Sequence, residues 1–374
     1  MKKTKLLFIF GTRPEAIKLA PLIMEFNRRD EFETLVCVTA QHRQMLDQVL
    51  SFFEIVPDYD LDIMMPNQTL FDVTANALKK LEGVLSDCNA DCVFVQGDTT
   101  TAFVGALAAY YKKIKVAHIE AGLRSHDKYS PFPEEMNRTL AGHLADFHFT
   151  PTMQSVEHLQ RENISQNLFN VGNTVIDALF LGLEQVRKKK TLADFSFLRQ
   201  NNRMVLITGH RRESFGKPFE DICSAIGTLA GKYPDVDFLY PVHLNPNVQE
   251  PVRRILANKS NVHLIEPLDY PQFIQMIERS TIVLTDSGGL QEEAPSLGKP
   301  VLVMREVTER MEGVDAGTAK LVGTNKDLIV SELSLLLDDT SAYEKMAKAV
   351  NPYGDGTSCR QIAEIIKKLL VNQK

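Results

Sequence analysis

Carboxylates, cations and glycines collect directly after short apolar runs in this 374-residue chain. Gly97-Asp98-Thr99-Thr100-Thr101 follows the run that ends at Gln96, and Glu120-Ala121-Gly122-Leu123-Arg124 follows the run 116–119. A third acidic pair, Glu134-Glu135, lies in Ser130-Pro131-Phe132-Pro133-Glu134-Glu135-Met136-Asn137-Arg138, a proline-constrained stretch that leads into a helix. Three carboxylates near one cleft suit proton transfer, because crowded like charges and partial burial raise carboxyl pKa values toward the working pH. Spacing alone does not say which is acid and which is base. Asp98 equally fits a helix N-cap, and either Glu134 or Glu135 fits the favourable end of a helix dipole.

The cationic positions point to an anion. Gly11, Arg13 and, a helical turn on, Lys18 follow the first apolar run, with Pro14 at the first position of a helix whose N-terminus then faces the same way. The plain alternative is a surface Arg and Lys at a helix start. Gly209-His210-Arg211-Arg212-Glu213 brings an imidazole and guanidinium groups to another strand end, where a basic surface turn is the alternative. In Thr285-Asp286-Ser287-Gly288-Gly289-Leu290-Gln291-Glu292-Glu293, the residues Ser287, Gly288 and Gly289 open a helix and can offer N–H groups and a hydroxyl to a phosphate. Glu293, one turn later, suits ribose hydroxyls, and Arg310 either closes over a diphosphate or sits on the surface. His118 and His143 stand in apolar contexts and read as packing histidines. Neither a GxGxxG after a strand nor a Walker Lys-Ser/Thr pattern is present, so nothing supports NAD or nucleoside-triphosphate chemistry.

The elements that position these residues follow from periodicity. Short β-branched or aliphatic runs at 6–10, 34–39, 92–96, 115–119 and 147–150 are each followed by turn residues and a helical pattern. The second half repeats the scheme at 204–208, 237–241, 262–265, 282–285 and 301–304. Such alternation predicts βαβ units and parallel sheets, here two doubly wound α/β domains. In open sheets of this kind ligands gather outside the carboxyl ends of the strands, where the residues above lie. The Lys-rich run 187–190 and the polar stretch to Asn202 read as a surface connection, so the expected domains are 1–175 and 176–356. Asn351-Pro352-Tyr353-Gly354-Asp355-Gly356 breaks the chain before a final helix over 357–370, and the segment 357–374 is expected to cross back onto the first domain.

Composition narrows the function classes. At 44% hydrophobic and 24% charged residues the chain can bury two ordinary cores, and a net charge of −6 argues against a general nucleic-acid binder. The apolar stretch after the basic residues 2–5 is too short for a signal sequence, and no run reaches the length of a membrane span, so the expectation is a cytoplasmic protein without a membrane partner. Cys37, Cys88, Cys92, Cys223 and Cys359 lack the paired spacing of a zinc site and read as reduced thiols; no metal is expected.

Taken in order, Gly11-Thr12-Arg13-Pro14-Glu15-Ala16-Ile17-Lys18, Thr39-Ala40-Gln41-His42-Arg43, Gln96-Gly97-Asp98-Thr99-Thr100-Thr101, Glu120-Ala121-Gly122-Leu123-Arg124, Gly172-Asn173-Thr174, Gly209-His210-Arg211-Arg212-Glu213, the string 285–298 and the string 351–356 closely resemble the bacterial non-hydrolysing UDP-N-acetylglucosamine 2-epimerases. The likeness spans almost the whole chain. It implies a glycosyltransferase-B fold with the active site in the cleft between two Rossmann-like domains, and a homodimer. It also implies interconversion of UDP-GlcNAc and UDP-ManNAc without a cofactor, through elimination of UDP to a 2-acetamidoglucal and its re-addition. On the matching positions the resemblance makes Asp98, Glu120 and Glu134 the acid/base carboxylates, with His210 assisting departure of UDP or holding its phosphates. It makes Arg13, Lys18, Ser287, Gly288, Gly289, Glu293 and Arg310 the nucleotide grip, with Phe273 near the uracil. Many members carry an activating second UDP-GlcNAc site, for which Gln41, Gln44, Arg211 and His243 are the matching positions. Asn67 stands where some relatives have Arg, and Met311 where a proline is common, a change expected to loosen the loop that carries Arg310.

Overall fold

The computed structural model describes residues 2–40, 43–65, 67–189, 195–199 and 202–372. The chain divides into two units, Met1–Leu181 with Tyr353–Lys374, and Gly182–Pro352.

The first unit holds a seven-stranded parallel sheet of β1 (Thr4–Phe10), β2 (Phe32–Val38), β3 (Tyr59–Asp60), β4 (Cys92–Gln96), β5 (Lys115–Ile119), β6 (Phe147–Thr150) and β7 (Leu168–Asn170), in the order β3-β2-β1-β4-β5-β6-β7. Alternation along β1 sends Leu7 and Ile9 to one face and Phe8 to the other. On the first face they pack with Val93, Val95, Ala102 and Leu81, from β4 and the helices Thr100–Tyr111 and Leu70–Cys88. On the second, Phe8 stacks on Phe94 with centroids 4.6 Å apart and Phe26 meets Phe94 edge-on at 5.5 Å. The last segment belongs to this unit: Arg29 reaches Glu364 at 2.7 Å, and the Cys359 N–H donates to Asp177 Oδ1 at 2.9 Å.

The second unit holds a six-stranded parallel sheet of β8 (Met204–Thr208), β9 (Asp237–Pro241), β10 (Val262–Ile265), β11 (Ile282–Thr285), β12 (Val301–Val303) and β13 (Ala319–Leu321), in the order β10-β9-β8-β11-β12-β13. Its helices cover both faces, through a cluster around Val205, Ile207, Phe238 and Leu284 on one side and around Leu206, Leu239, Val283 and Val303 on the other.

Both sheets therefore have the doubly wound order, in which the winding direction reverses between β1 and β4 and between β8 and β11. That reversal opens a crevice at the carboxyl edge of each sheet. The residues that follow β1, β4, β8 and β11 are Gly11, Gly97, Gly209 and Asp286.

Three short strands, β3, β7 and β13, were not expected from the sequence; each has two or three residues and pairs at a sheet edge, too short for a period to register. The final helix, expected as one piece, is α-helical over Ser358–Ile366 and passes into a π-helical turn at Lys367–Val371.

Candidate active site

In the first unit the helix Arg13–Asn27 starts where β1 stops. Pro14 is fixed in a helical φ at its first turn, and the Glu15 carboxylate turns back to accept the N–H groups of Gly11 at 3.0 Å and Thr12 at 2.8 Å. Its other oxygen accepts the Thr99 hydroxyl at 2.6 Å, which joins the turn after β1 to the turn after β4. Burial pushes the Glu15 carboxyl above its ordinary value, against the pull of these hydrogen bonds. Gly11 has no room for a side chain, since a Cβ would lie 2.0 Å from Thr39 Oγ1 and 2.8 Å from Thr101 Oγ1.

Directly after β5 comes Glu120, whose φ of 61° is left-handed. For a residue with a side chain that conformation costs about 1–2 kcal/mol. The buried carboxylate accepts the Lys18 ammonium at 2.7 and 2.6 Å, the Asn173 side-chain amide at 3.0 Å and the Gln96 side-chain amide. Asp98 is not the N-cap of the helix Thr100–Tyr111; Thr99 is, and its hydroxyl accepts the Ala102 N–H at 3.0 Å. The Asp98 carboxylate instead faces Arg138 at 2.5 Å, and its carbonyl accepts the Asn137 side-chain amide at 3.0 Å. Glu134 and Glu135 stand in different surroundings. Glu135 is buried and accepts the N–H groups of Ser125 and His126, whereas Glu134, at the first position of the helix Glu134–Leu144, is half-buried and its carboxylate has no hydrogen bond or ion pair to another described residue.

Glu120 and Asp98 each contact a cation, Lys18 and Arg138, and Arg138 also reaches Glu135 at 3.3 Å. Lys18, expected to grip a nucleotide, spends its ammonium on Glu120, while Arg13 is half-buried with no hydrogen-bond or ion-pair partner among the described residues. His118 is a packing histidine as expected; its Nε2 lies 2.7 Å from the Gly97 carbonyl, and burial pushes its pKa down to about 4. His143 is exposed in the last turn of its helix, on the side away from the core residue Ala141, so its apolar sequence context misled. All five cysteines are buried and unpaired, and burial pushes the thiols of Cys37 and Cys223 up to about 12, which leaves them unreactive.

In the second unit the organising group is one that sequence reasoning missed. Asp286, buried directly after β11, accepts the N–H groups of His210 at 2.6 Å and Arg211 at 2.8 Å, and its other oxygen faces His210 Nδ1 at 3.3 Å. Burial alone would raise its carboxyl; the hydrogen bond and charge of His210 and the two N–H groups outweigh that and hold it below the ordinary range. The His210 ring is stacked on His243 at 5.3 Å and 14°, so its plane is fixed from a second side. The His243 imidazole is held below its ordinary pKa, first by burial and then by the charge of His210.

His210, Arg211, Arg212, Glu213, His243, Asn245 and Ser287 line one open cavity of about 500 Å³. Arg211 and His243, the positions matched to an activating site, thus share a cavity with His210 and Ser287. Of their expected companions, Gln44 is exposed on the helix Arg43–Phe53 and Gln41 lies outside the described residues. Asn67 is exposed with a left-handed φ of 59°.

Ser287 is the N-cap of the helix Gly288–Glu293 and makes no side-chain cap bond, so its hydroxyl is not committed to the helix. A Cβ at Gly288 would crowd Glu309 Oε1 at 3.3 Å and stand in ordinary contact with the Arg310 guanidinium carbon at 3.6 Å. Arg310 is held by Glu292 at 2.8 Å and Glu309 at 3.3 Å, and Arg305 joins Glu309 at 2.8 Å to Glu213 at 2.9 Å. Burial opposes ionisation of Glu309, but Arg310 and Arg305 bring its pKa down to about 2. Met311 takes the first position of the short helix Met311–Asp315, and the Arg310 N–H is tied to Thr308 Oγ1 at 3.2 Å. Gly289 is exposed, Glu293 is buried, and Phe273 rests half-buried against the core.

Among the described residues no group of three or more His, Cys, Asp or Glu side chains is arranged to hold a metal, and no helix is long and apolar enough to cross a membrane. The first unit offers carboxylates backed by cations; the second offers an imidazole, guanidinium groups and a glycine-lined helix start. The first set is suited to moving a proton and the second to receiving a phosphate.

Comparison with known proteins agrees with that chemistry. The family described as UDP-N-acetylglucosamine 2-epimerase matches residues 24–367. The UDP-N-acetylglucosamine 2-epimerase of Yersinia pestis is 55% identical over 369 residues, covering 97% of this chain and 98% of its own. That of Escherichia coli O157:H7 is 54% identical with the same coverage. The crystal structure of UDP-GlcNAc 2-epimerase from Neisseria meningitidis bound to UDP-GlcNAc superposes with a TM-score of 0.90 at 50% identity, covering 98% of this chain and 100% of that one. At this identity and coverage, with both Rossmann-like sheets in place, the chain belongs to the UDP-N-acetylglucosamine 2-epimerase family.

Proposed function

We propose that this protein interconverts UDP-GlcNAc and UDP-ManNAc by eliminating UDP and adding it back. A base takes the C2 proton; the electron pair of that C–H bond forms the C1=C2 double bond, and the C1–O bond breaks with its pair leaving on the β-phosphate. Return of UDP to C1 and protonation of C2 from the other face complete the epimerisation. A C2 proton is weakly acidic, so its removal has to be coupled to departure of a stabilised leaving group.

The observation that carries this reading is the Glu120 carboxylate, buried at the end of β5 and oriented by Lys18, Asn173 and Gln96. Asp98 and Glu134 are its acid/base companions, and His210, oriented by Asp286, assists the departing UDP. Arg13, Ser287, Gly288, Gly289, Glu293 and Arg310 bind the nucleotide, with Phe273 at the uracil. Lys18 acts on the substrate through Glu120. Closure around the substrate keeps the glucal and UDP from escaping. The protein works as a cytoplasmic homodimer and supplies ManNAc for envelope polysaccharides, and UDP-GlcNAc itself activates it through Gln41, Gln44, Arg211 and His243.

Proton NMR of UDP-GlcNAc incubated with the protein alone in deuterated buffer tests the reaction. The expected result is UDP-ManNAc with deuterium at C2 in both epimers. Free ManNAc with UDP would mean hydrolysis instead, and unchanged UDP-GlcNAc would overturn the reading.

A further inference from the structure

Asn173 lies in the turn between β7 and the helix Thr174–Lys189, and all of its polar groups are engaged. Its Oδ1 accepts the Val175 N–H at 3.1 Å, and its carbonyl accepts the Ile176 N–H at 3.1 Å. Its own N–H donates to the Tyr353 carbonyl at 2.7 Å, and its side-chain NH₂ donates to Glu120 Oε1 at 3.0 Å. Because Oδ1 is occupied by a backbone donor, the amide cannot turn over, and what it shows Glu120 is a donor only.

The backbone beneath it is equally fixed. Gly172 has a φ of 86°, and a Cβ there would lie 2.9 Å from Ser358 Oγ and 3.1 Å from the Tyr353 carbonyl, so the turn lies flat on the returning segment. Asn173 is 2% exposed, and its amide position is set by packing from two sides rather than by a surface rotamer.

We propose that Asn173 is a positioning residue for the epimerisation, holding the Glu120 carboxylate in one orientation and in its ionised form. This rests on the assignment of Glu120 as an acid/base group. Also facing that carboxylate among the described residues are the Lys18 ammonium from the helix Arg13–Asn27, the neutral Gln96 amide from β4, and the buried, uncharged His118 from β5. A donor to the ionised form favours ionisation, so its loss moves the Glu120 titration upward, and a like charge in its place moves it further. Whether Glu120 gives or takes the proton, the limb of the pH profile that reports it shifts to higher pH.

The experiment is the pH dependence of kcat for UDP-GlcNAc epimerisation in Asn173→Ala and Asn173→Asp, with Glu120→Gln beside them. Asn173→Asp keeps an oxygen for the Val175 N–H, a cap that Asp supplies as well as Asn, so it tests the contact without removing the turn. The expected result is an inactive Glu120→Gln, a limb raised by about one unit in Asn173→Ala and about two in Asn173→Asp, and KM within about threefold of wild type. A limb that stays in place in both Asn173 variants, while Glu120→Gln is inactive, overturns the proposal and leaves the acid/base reading standing. Wild-type turnover in Glu120→Gln overturns both.

Discussion

Asp286→Asn is the substitution that separates orientation of His210 from stability of the loop around it. Asp286 Oδ2 accepts two backbone N–H groups, at 2.6 and 2.8 Å, and Oδ1 faces His210 Nδ1 at 3.3 Å. An Asn can keep its carbonyl oxygen on the two N–H groups, which places its NH₂ against Nδ1. Hydrogen bonds to a charged acceptor contribute about 1.5–3 kcal/mol and neutral ones about 0.5–1.5, so exchanging two costs the second unit about 2 kcal/mol. That is a fall in Tm of about 4–8 °C for a domain of this size. The effect on catalysis is of another kind: a donor at Nδ1 forces that nitrogen to be the acceptor and moves the proton to Nε2, reversing the tautomer that Asp286 selects. Loss of one oriented group at a leaving diphosphate costs about 1.4–2.7 kcal/mol of barrier, or about 10- to 100-fold in kcat. The assay is kcat by NMR or coupled UDP-ManNAc detection alongside a thermal scan. The depressed Asp286 carboxyl adds a control. Its contribution to stability is present above its unfolded pKa, near 4, and is lost as the pH falls through its lower folded value, so the gap in Tm between wild type and Asp286→Asn should narrow below about pH 4. A variant with wild-type kcat and a lowered Tm would refute the argument, because it would leave Asp286 as a loop tie with no bearing on His210.

Lys18→Met should lower kcat while leaving the Kd for UDP, measured by calorimetry, within about threefold, because the ammonium contacts Glu120 at 2.6 Å; a loss of UDP affinity of about tenfold or more would return Lys18 to the nucleotide grip. Glu15→Gln should be nearly neutral near pH 5 and stabilising near pH 8 in thermal scans. An amide can still accept the Gly11 and Thr12 N–H groups and donate to Thr99, and a carboxyl raised by burial loses stability as the pH climbs through its folded value. Gly11→Ala should cost about 2 kcal/mol or more in urea unfolding, since its Cβ would fall 2.0 Å from Thr39 Oγ1, and Thr39→Ala in the same chain should recover part of that loss.

The strands next to each switch point were legible because they are continuous apolar runs closed by glycine or a polar residue: β4 is bounded by Asp91 and Gly97, and β8 ends at Gly209. The positions directly after them could be read as site candidates for the same reason, since a doubly wound sheet sends those residues to its carboxyl edge whatever their side chains. What each side chain touches was not legible. Lys18 meets a carboxylate 102 positions away and Asn173 the same carboxylate 53 positions away, and no local pattern encodes either contact. Asp286 was hidden for a related reason. It reads as one more polar residue before a glycine pair, and its role appears only when β8 and β11 lie side by side and bring it under the N–H groups of residues 210 and 211.

Pairing of charges within each unit bears on how a diphosphate would be held. Arg310 is already gripped by Glu292 and Glu309, and Glu309 by Arg305 as well, in a network whose two arginines and Glu292 are largely withdrawn from water. A flexible surface arginine would lose side-chain entropy on meeting a phosphate, about 2 kcal/mol for so long a chain; Arg310 has lost it before any ligand arrives. The acidic partners weaken the field that an anion feels, but they also fix the direction of the guanidinium, so the network exchanges raw attraction for geometry. In the proposed reaction, where UDP would leave C1 and return to it, that exchange is favourable. A grip that is weak in charge and firm in position holds the leaving group where it can add back without trapping it as a tightly bound product.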